Sequence, residues 1–399
     1  MESSNPEHFF ETDAQVAKRH ARSRKEGNTF GNPIKATSKV LAVFPDPTQP
    51  QTVFTAESGG RVARYNLETR TTVGKYQGPS VPVTCLAIGG KDSSIIFAGS
   101  WDKSVWSWDL ATRKPLRRYD GHADFVKSIV TGRLGSRHVL VSGGADKKIL
   151  VWDVATGRRL YALKDPHTTM MSLQSLAVDP LLSTADELVI VSASSDPYVR
   201  RWRLRQDGGE LIAEEPLKPG EERVTIEEHE TSVYKVLFDA AGDEVDLWTA
   251  SADGTTKCLS RAKHFTTEDT FEHGDFVKGL AVTETYVITG GFSQDVKVWD
   301  RTSGALLYTI SAHFDEITDF ALVRDASGRG DILCSVSIDC TIRTWPLNKA
   351  ALDAAVEEIR KAAETDGEDE EESKKKEEAG PGLMTAEEEA ELAALMDDD

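Results

Sequence analysis

The chain has no long hydrophobic run. No apolar stretch in its 399 residues approaches the roughly 18–20 needed to cross a bilayer as a helix, so membrane insertion is not expected. Its start, Met1-Glu-Ser-Ser-Asn-Pro6, lacks an apolar signal region, and residence in the cytosol, the nucleus or both is the expectation. Cysteine is scarce: Cys85, Cys258, Cys334 and Cys340 form no Cys-x-x-Cys pair and read as reduced core thiols, with no metal site. Also missing are Gly-x-Gly-x-x-Gly, a phosphate-binding loop, His-Glu-x-x-His and Gly-x-Ser-x-Gly. No pair of carboxylates is evidently preorganised for acid/base work. The reading is therefore noncatalytic, with no catalytic residue and no cofactor, and an enzyme is the weaker alternative.

Negative charge is abundant but unevenly placed. The formal net charge is −19, and residues 349–399 hold 6 Lys and Arg against 19 Asp and Glu, so −13 belongs to the tail and −6 to the first 348 residues. Lys18-Arg-His-Ala-Arg-Ser-Arg-Lys25 is a basic cluster that reads as a nuclear-localisation or nucleic-acid segment, or equally as a helical surface. No basic stripe follows it, and direct nucleic-acid binding is not expected.

What the chain does have is a recurring unit. A short apolar strand leads into a small-residue turn ending in Asp, with Trp six residues later: Asp102 and Trp108, Asp146 and Trp152, Asp196 and Trp202, Asp339 and Trp345. Runs such as Val139-Leu-Val, Leu188-Val-Ile-Val and Tyr286-Val-Ile, bounded by small or turn residues, read as buried strands. The fullest copy runs from Gly121-His122 through Val139 and Asp146 to Trp152-Asp153. It resembles the WD-repeat family, in which each repeat forms most of a four-stranded blade. The resemblance covers roughly residues 39–347 and implies an all-β, seven-bladed WD-repeat β-propeller.

Seven units are counted. The first is worn, with Thr55, Gly59 and Tyr65 at the signature positions; the second has Ala98, Asp102 and Trp108; the fourth has Ser192, Asp196 and Trp202 with a weaker His167. In the fifth, His229, Thr249 and Asp253 are followed by Leu259, and in the sixth His273, Thr289 and Trp299 surround Ser293 at the Asp position. The resemblance implies a hydrogen-bonded chain from Trp through Ser or Thr and His to Asp. That makes His122, Ser142, Asp146 and Trp152, and His313, Ser335, Asp339 and Trp345, structural residues rather than catalytic ones.

Domain boundaries follow from these features. Residues 1–27 are a basic and polar extension, 28–347 the propeller, 348–365 a helix and 366–399 an acidic disordered tail with a short terminal helix. The seventh unit ends at Trp345 one strand short, so an N-terminal latch strand from about Asn28 to Lys35 should complete it and protect the sheet edge. The segment from Arg205 to Glu228 reads as an outer-strand elaboration. The first tail helix carries Leu352, Val356, Ile359 and Ala363 on one face. The second, capped by Thr385 and Glu388, offers Leu392, Leu395 and Met396 as a docking motif, while the acidic run between is either a solvated linker or a binder of a basic partner.

In the family, ligands meet the face near the central channel, at the residue before the turn Asp and those just after the His. Here these positions include Trp101, Phe125, Phe276, Phe292, Asp315, Glu316 and Ile338. A protein-interaction scaffold or adaptor subunit of a multiprotein complex is the function implied. Two alternatives stand beside it. One is a substrate receptor of a cullin-type ubiquitin ligase, from Trp202-Arg-Leu-Arg205. The other is a chromatin or histone-binding subunit, from the acidic tail, the basic cluster and the aromatics.

Overall fold

Seven antiparallel sheets arranged as blades make up the ring in the computed structural model. Residues 22–378 are described, except residues 24, 219, 221, 240–244, 326, 327 and 329; for 365–378 the backbone alone is described. The innermost strands are Val40–Pro45, Val83–Gly89, Val126–Leu134, Leu173–Val178, Val233–Phe238, Val277–Val282 and Ile317–Arg324. Each packs beside the next, and the last packs beside the first, so the ring closes.

Burial explains why the strands read as they do. Second strands such as Thr52–Glu57, Leu188–Ser194 and Leu247–Ser251 are buried at every position, because both of their faces lie between neighbouring blades. An uninterrupted apolar or small-residue run is what such a strand needs. Outer strands such as Pro115–Asp120 are exposed at most positions and carry charge instead. Turns between second and third strands put the residue after the turn position at positive φ in six blades: Gly60, Lys103, Lys147, Gly254, Gln294 and Cys340. Blade 4 has Pro197 there, whose ring confines φ to about −65°.

The latch exists and is short. Ile34–Lys35 pairs antiparallel with Thr341–Pro346 of blade 7, in the register Ile34 to Ile342 and Lys35 to Thr341. Around it, Ala36 N–H donates to Cys340 O (2.8 Å) and Thr344 N–H to Gly31 O (2.8 Å). The Asn28 amide donates to Ala312 O (2.8 Å), and the buried Arg343 guanidinium donates to Asn28 Oδ1 (2.6 Å). The chain's first strand and its last blade therefore share one sheet. The 205–228 segment supplies blade 4's outer strand in two pieces, Gly209–Leu211 and Ile226–Glu227, both paired with Tyr198–Leu204.

A helix, Lys349–Glu378, follows the last blade. Asn348 caps it, accepting from Ala351 N–H (2.9 Å). Leu352, Val356 and Ile359 join the apolar cluster of the last two blades that also includes Tyr286, Tyr308 and Leu322, as the spacing predicts, but Ala363 is exposed. The helix also passes the expected end at 365 and runs through the acidic segment read as disordered. Glu370, Glu371 and Glu372 stand four residues before Lys374, Lys375 and Lys376, a spacing that stabilises helix. Thr385, Leu392, Leu395 and Met396 lie outside the described residues, as do residues 18–21 of the basic cluster.

Candidate functional site: the channel mouth

The His-Asp pairs sit inside blades. In blade 3 the Trp152 indole donates to Ser142 Oγ (2.8 Å), Ser142 meets His122 Nε2 (2.8 Å), and His122 Nδ1 meets Asp146 (2.9 Å). A carboxylate only accepts, so Nδ1 carries the proton and Nε2 accepts from the serine hydroxyl. Blade 7 repeats this through Trp345, Ser335, His313 and Asp339 at 3.0, 2.9 and 2.8 Å. Burial alone would raise Asp146 and Asp339, yet the histidine hydrogen bonds hold both below the usual carboxylate range. Each chain holds a serine hydroxyl on a histidine that faces an aspartate, but Ser142 and Ser335 are fully buried and fixed between indole and imidazole.

Other blades reach the same end with different groups. Blade 5 pairs His229 with Thr249 (2.7 Å) and Asp253 (2.8 Å), while Leu259 fills the tryptophan position as buried core. In blade 6 His273 meets Thr289 (2.8 Å) and Ser293 (2.7 Å), with no carboxylate. Burial pushes His273 down to about 4. Blade 4 departs from the expectation: His167 does not join the network. The fully buried Arg200 takes its place, donating to Asp165 (2.7 Å), Asp196 (3.2 Å) and Thr168 (2.7 Å). Blade 1 is organised by buried Glu57 rather than the position of Gly59; Tyr65 donates to it at 3.0 Å and Arg61 at 2.8 Å. In blade 2 Trp106 donates to Asp102 (2.8 Å) and stacks on Trp108, whose indole donates to Gln77 O (2.9 Å).

One face is built the same way seven times. The residue before each turn position donates its N–H to a carbonyl at the start of the innermost strand: Trp101 to Pro82 (3.0 Å), Ala145 to Phe125 (2.7 Å), Phe292 to Phe276 (3.1 Å) and Ile338 to Glu316 (3.0 Å) are examples. Two pairs of expected partner-binding positions, Phe276 with Phe292 and Glu316 with Ile338, are thus joined by backbone. Trp101 stacks on Phe125 of the next blade, centroids 4.7 Å apart and planes 12° off parallel, and remains 42% exposed. Phe276 and Phe292 meet edge to face at 5.3 Å and are 42% and 44% exposed. Asp315 is 3.6 Å from Arg22, and Glu316 is ion-paired with Lys278.

Sequence reasoning missed the bulge residues that line the channel. In every blade the innermost strand slips register by one residue against its neighbour, a β-bulge. The residues before the slips, Val40, Val83, Val126, Leu173, Val233, Val277 and Ile317, are fully buried. The extra residues are Leu41, Thr84, Lys127, Gln174, Tyr234, Lys278 and Thr318, and all seven line a cavity of ≈ 470 Å³. Trp101, Glu316 and Ile338 line it too; Phe125, Phe276, Phe292 and Asp315 lie outside that lining. A signal was available: in blades 3, 5, 6 and 7 the bulge residue stands five after the repeat histidine.

Charge in the mouth is nearly matched. Lys235 donates to Asp319 (2.8 Å), and Lys278 pairs with Glu316 while lying 5.0 Å from the Phe292 ring. Lys127 has no carboxylate at ion-pair distance among the described residues. Burial, then repulsion from Lys278, lowers its pKa, against the attraction of Asp124.

The description WD domain, G-beta repeat matches residues 70–109, 113–153 and 304–346. An uncharacterized WD repeat-containing protein of Schizosaccharomyces pombe is 29% identical over 412 residues, covering 100% of each chain. An F-box/WD-40 repeat-containing protein of Arabidopsis thaliana is 23% identical over 277 residues, covering 68% of this chain and 47% of its own length. The small ribosomal subunit protein RACK1 of Drosophila melanogaster is 34% identical over 83 residues, 21% of this chain and 26% of its own. Among the described residues no helix is long and apolar enough to cross a membrane. With three stretches matched to the WD repeat in sequence and the sheets closed into seven four-strand-wide blades, the chain is a seven-bladed β-propeller carrying WD repeats.

Proposed function

We propose that this protein is a noncatalytic interaction platform, a subunit that holds other proteins against the channel-mouth face. The observation that carries the reading is Trp101, a large aromatic left 42% exposed, stacked on Phe125 and fixed by backbone bonds at the rim. Exposed, rigid aromatics bury much area on binding with little loss of entropy, the property of a hot spot. The face is held by seven blades and has few degrees of freedom to lose. Residence in the cytosol, the nucleus or both is part of this proposal.

The ubiquitin-ligase alternative rests on Trp202-Arg-Leu-Arg205. Trp202 is buried with its indole on Ser192 (2.8 Å), and Arg203 and Arg205 are engaged by Glu187 and Glu210. Affinity purification with mass spectrometry of the intact chain and Trp101→Ala tests the platform. Loss of a defined partner set from a folded Trp101→Ala protein is the expected result, and an unchanged set would overturn the assignment of that face. A chain ending at Asn348 run alongside tests the histone-binding alternative, which requires histones to be lost with the tail.

A further inference from the structure

We infer that the channel mouth recognises a single acidic side chain, Asp or Glu, in a linear segment of a partner protein, with Lys127 as its counterion and Trp101 packing the neighbouring apolar residue. This rests on the channel-mouth reading above and specifies its ligand.

The argument starts from charge. The titratable groups lining the cavity that carry charge are Lys127, Lys235, Lys278, Glu316 and Asp319. Two lysines are matched within the protein, Lys235 by Asp319 at 2.8 Å and Lys278 by Glu316. One ammonium is left over, and it is half-buried at a bulge position, where the strand register aims an unpaired residue out of the ladder. Asp124 attracts it without forming an ion pair among the described residues. Holding a cation part-way out of water without an acceptor is costly, and an incoming carboxylate removes that cost while making a charge-assisted hydrogen bond.

The same count selects the ligand. One carboxylate neutralises the surplus of one. A polyanion would bring several phosphates against Glu316 and Asp319, so nucleic acid is disfavoured in the same mouth. The wall is mixed: Trp101, Ile338 and Leu41 are apolar and partly exposed, while Gln174, Thr84 and Thr318 offer neutral hydrogen-bonding groups. At ≈ 470 Å³ the cavity is in the size range of pockets that hold small ligands, so it admits a few side chains rather than a folded domain.

The test uses the full-length protein and a phage library of random short peptides. Recovered sequences should be enriched in Asp or Glu beside an apolar or aromatic residue. Synthetic peptides from that set should bind at least about tenfold tighter than their Gln counterparts, measured by fluorescence polarisation. Lys127→Met should abolish the preference for Glu over Gln without lowering the melting temperature, and Lys127→Arg should keep part of it. Trp101→Ala should weaken Glu and Gln peptides alike. No acidic enrichment, or a Glu preference that survives Lys127→Met, would overturn the inference; so would random-sequence RNA binding at the mouth with higher affinity than the peptides. If the peptides fail while Trp101→Ala still loses its co-purifying partners, the platform stands and only the acidic specificity falls.

Discussion

At the scale of single residues, stability rests on side chains whose partners are inside the same blade. Ser142 is central to blade 3 because it joins an indole donor to an imidazole acceptor. Ser142→Ala leaves the Trp152 N–H and His122 Nε2 buried without partners, and should cost about 1–3 kcal/mol, read from urea midpoints. His273 adds a pH dependence with a definite sign. Its folded pKa of about 4 lies below the usual ~6.5, so on acidification the unfolded chain takes the proton first. The stability it contributes is complete above pH ~6.5, declines as pH falls toward about 4 and is flat below that. His273→Gln should flatten urea midpoints measured across this window, and an unchanged slope would assign the effect elsewhere. Burial lowers His313 as well, so part of the slope should remain in the variant.

The residue scale also marks the limits of repeat reading. Blades 3 and 7 were legible because every member of the chain matched the signature. Blade 4 was not: Pro197 follows its turn Asp, and the group that replaces the histidine, Arg200, comes from the third strand and not from the segment before the first. A guanidinium reaches three acceptors at once from there. Glu57 was passed over for a similar reason. It sits two residues before the position where the pattern places an acid, and it reaches Tyr65 and Arg61 by side-chain length.

At the scale of elements, the latch matters more than its two-residue strand suggests. It covers an open edge of blade 7 and ties residue 28 to residues 312 and 343. Gly31 makes it fit, with φ of +65° and an ideal Cβ that would lie 2.5 Å from the Trp345 ring. Gly31→Ala combines a left-handed backbone with a ring clash, and should cost about 2–4 kcal/mol. Differential scanning calorimetry checks it. A single transition shifted down is expected, since losing the latch opens the ring as a unit, and no shift would mean that the latch is dispensable. Completion of the last blade by the N-terminus was readable from a strand count. The Lys349–Glu378 helix was only partly readable, because charge-rich composition argues for disorder while its Glu-to-Lys spacing argues for helix.

At the scale of the whole molecule, ring and tail divide the charge. Ending the chain at Asn348 would change the formal net charge from −19 to −6. It would also uncover the apolar cluster, with Tyr286, Tyr308 and Leu322, in which Leu352 is buried to 1% exposure. Losing that packing should cost about 2–4 kcal/mol while a single melting transition is retained, because the helix is not part of the ring. Near-UV circular dichroism during melting checks this. Two separated transitions would make the helix integral to blade 6 or 7.

The sequence by itself determined the repeat, the number of blades and the closing latch. These are set by local patterns: apolar runs for strands buried on both sides, small residues and Asp for turns, and a strand count that leaves the last sheet incomplete. Only the tertiary structure decided what the channel mouth presents. Which residue of an innermost strand faces the channel depends on a register slip between two strands, and a slip of one reverses the face of each side chain. Whether a lysine is matched depends on acids contributed by other blades, as Lys235 depends on Asp319 across 84 residues of chain. Folding constrains the repeats strongly, and so they are legible; the surplus charge of Lys127 is a sum over the ring, and no single repeat contains it.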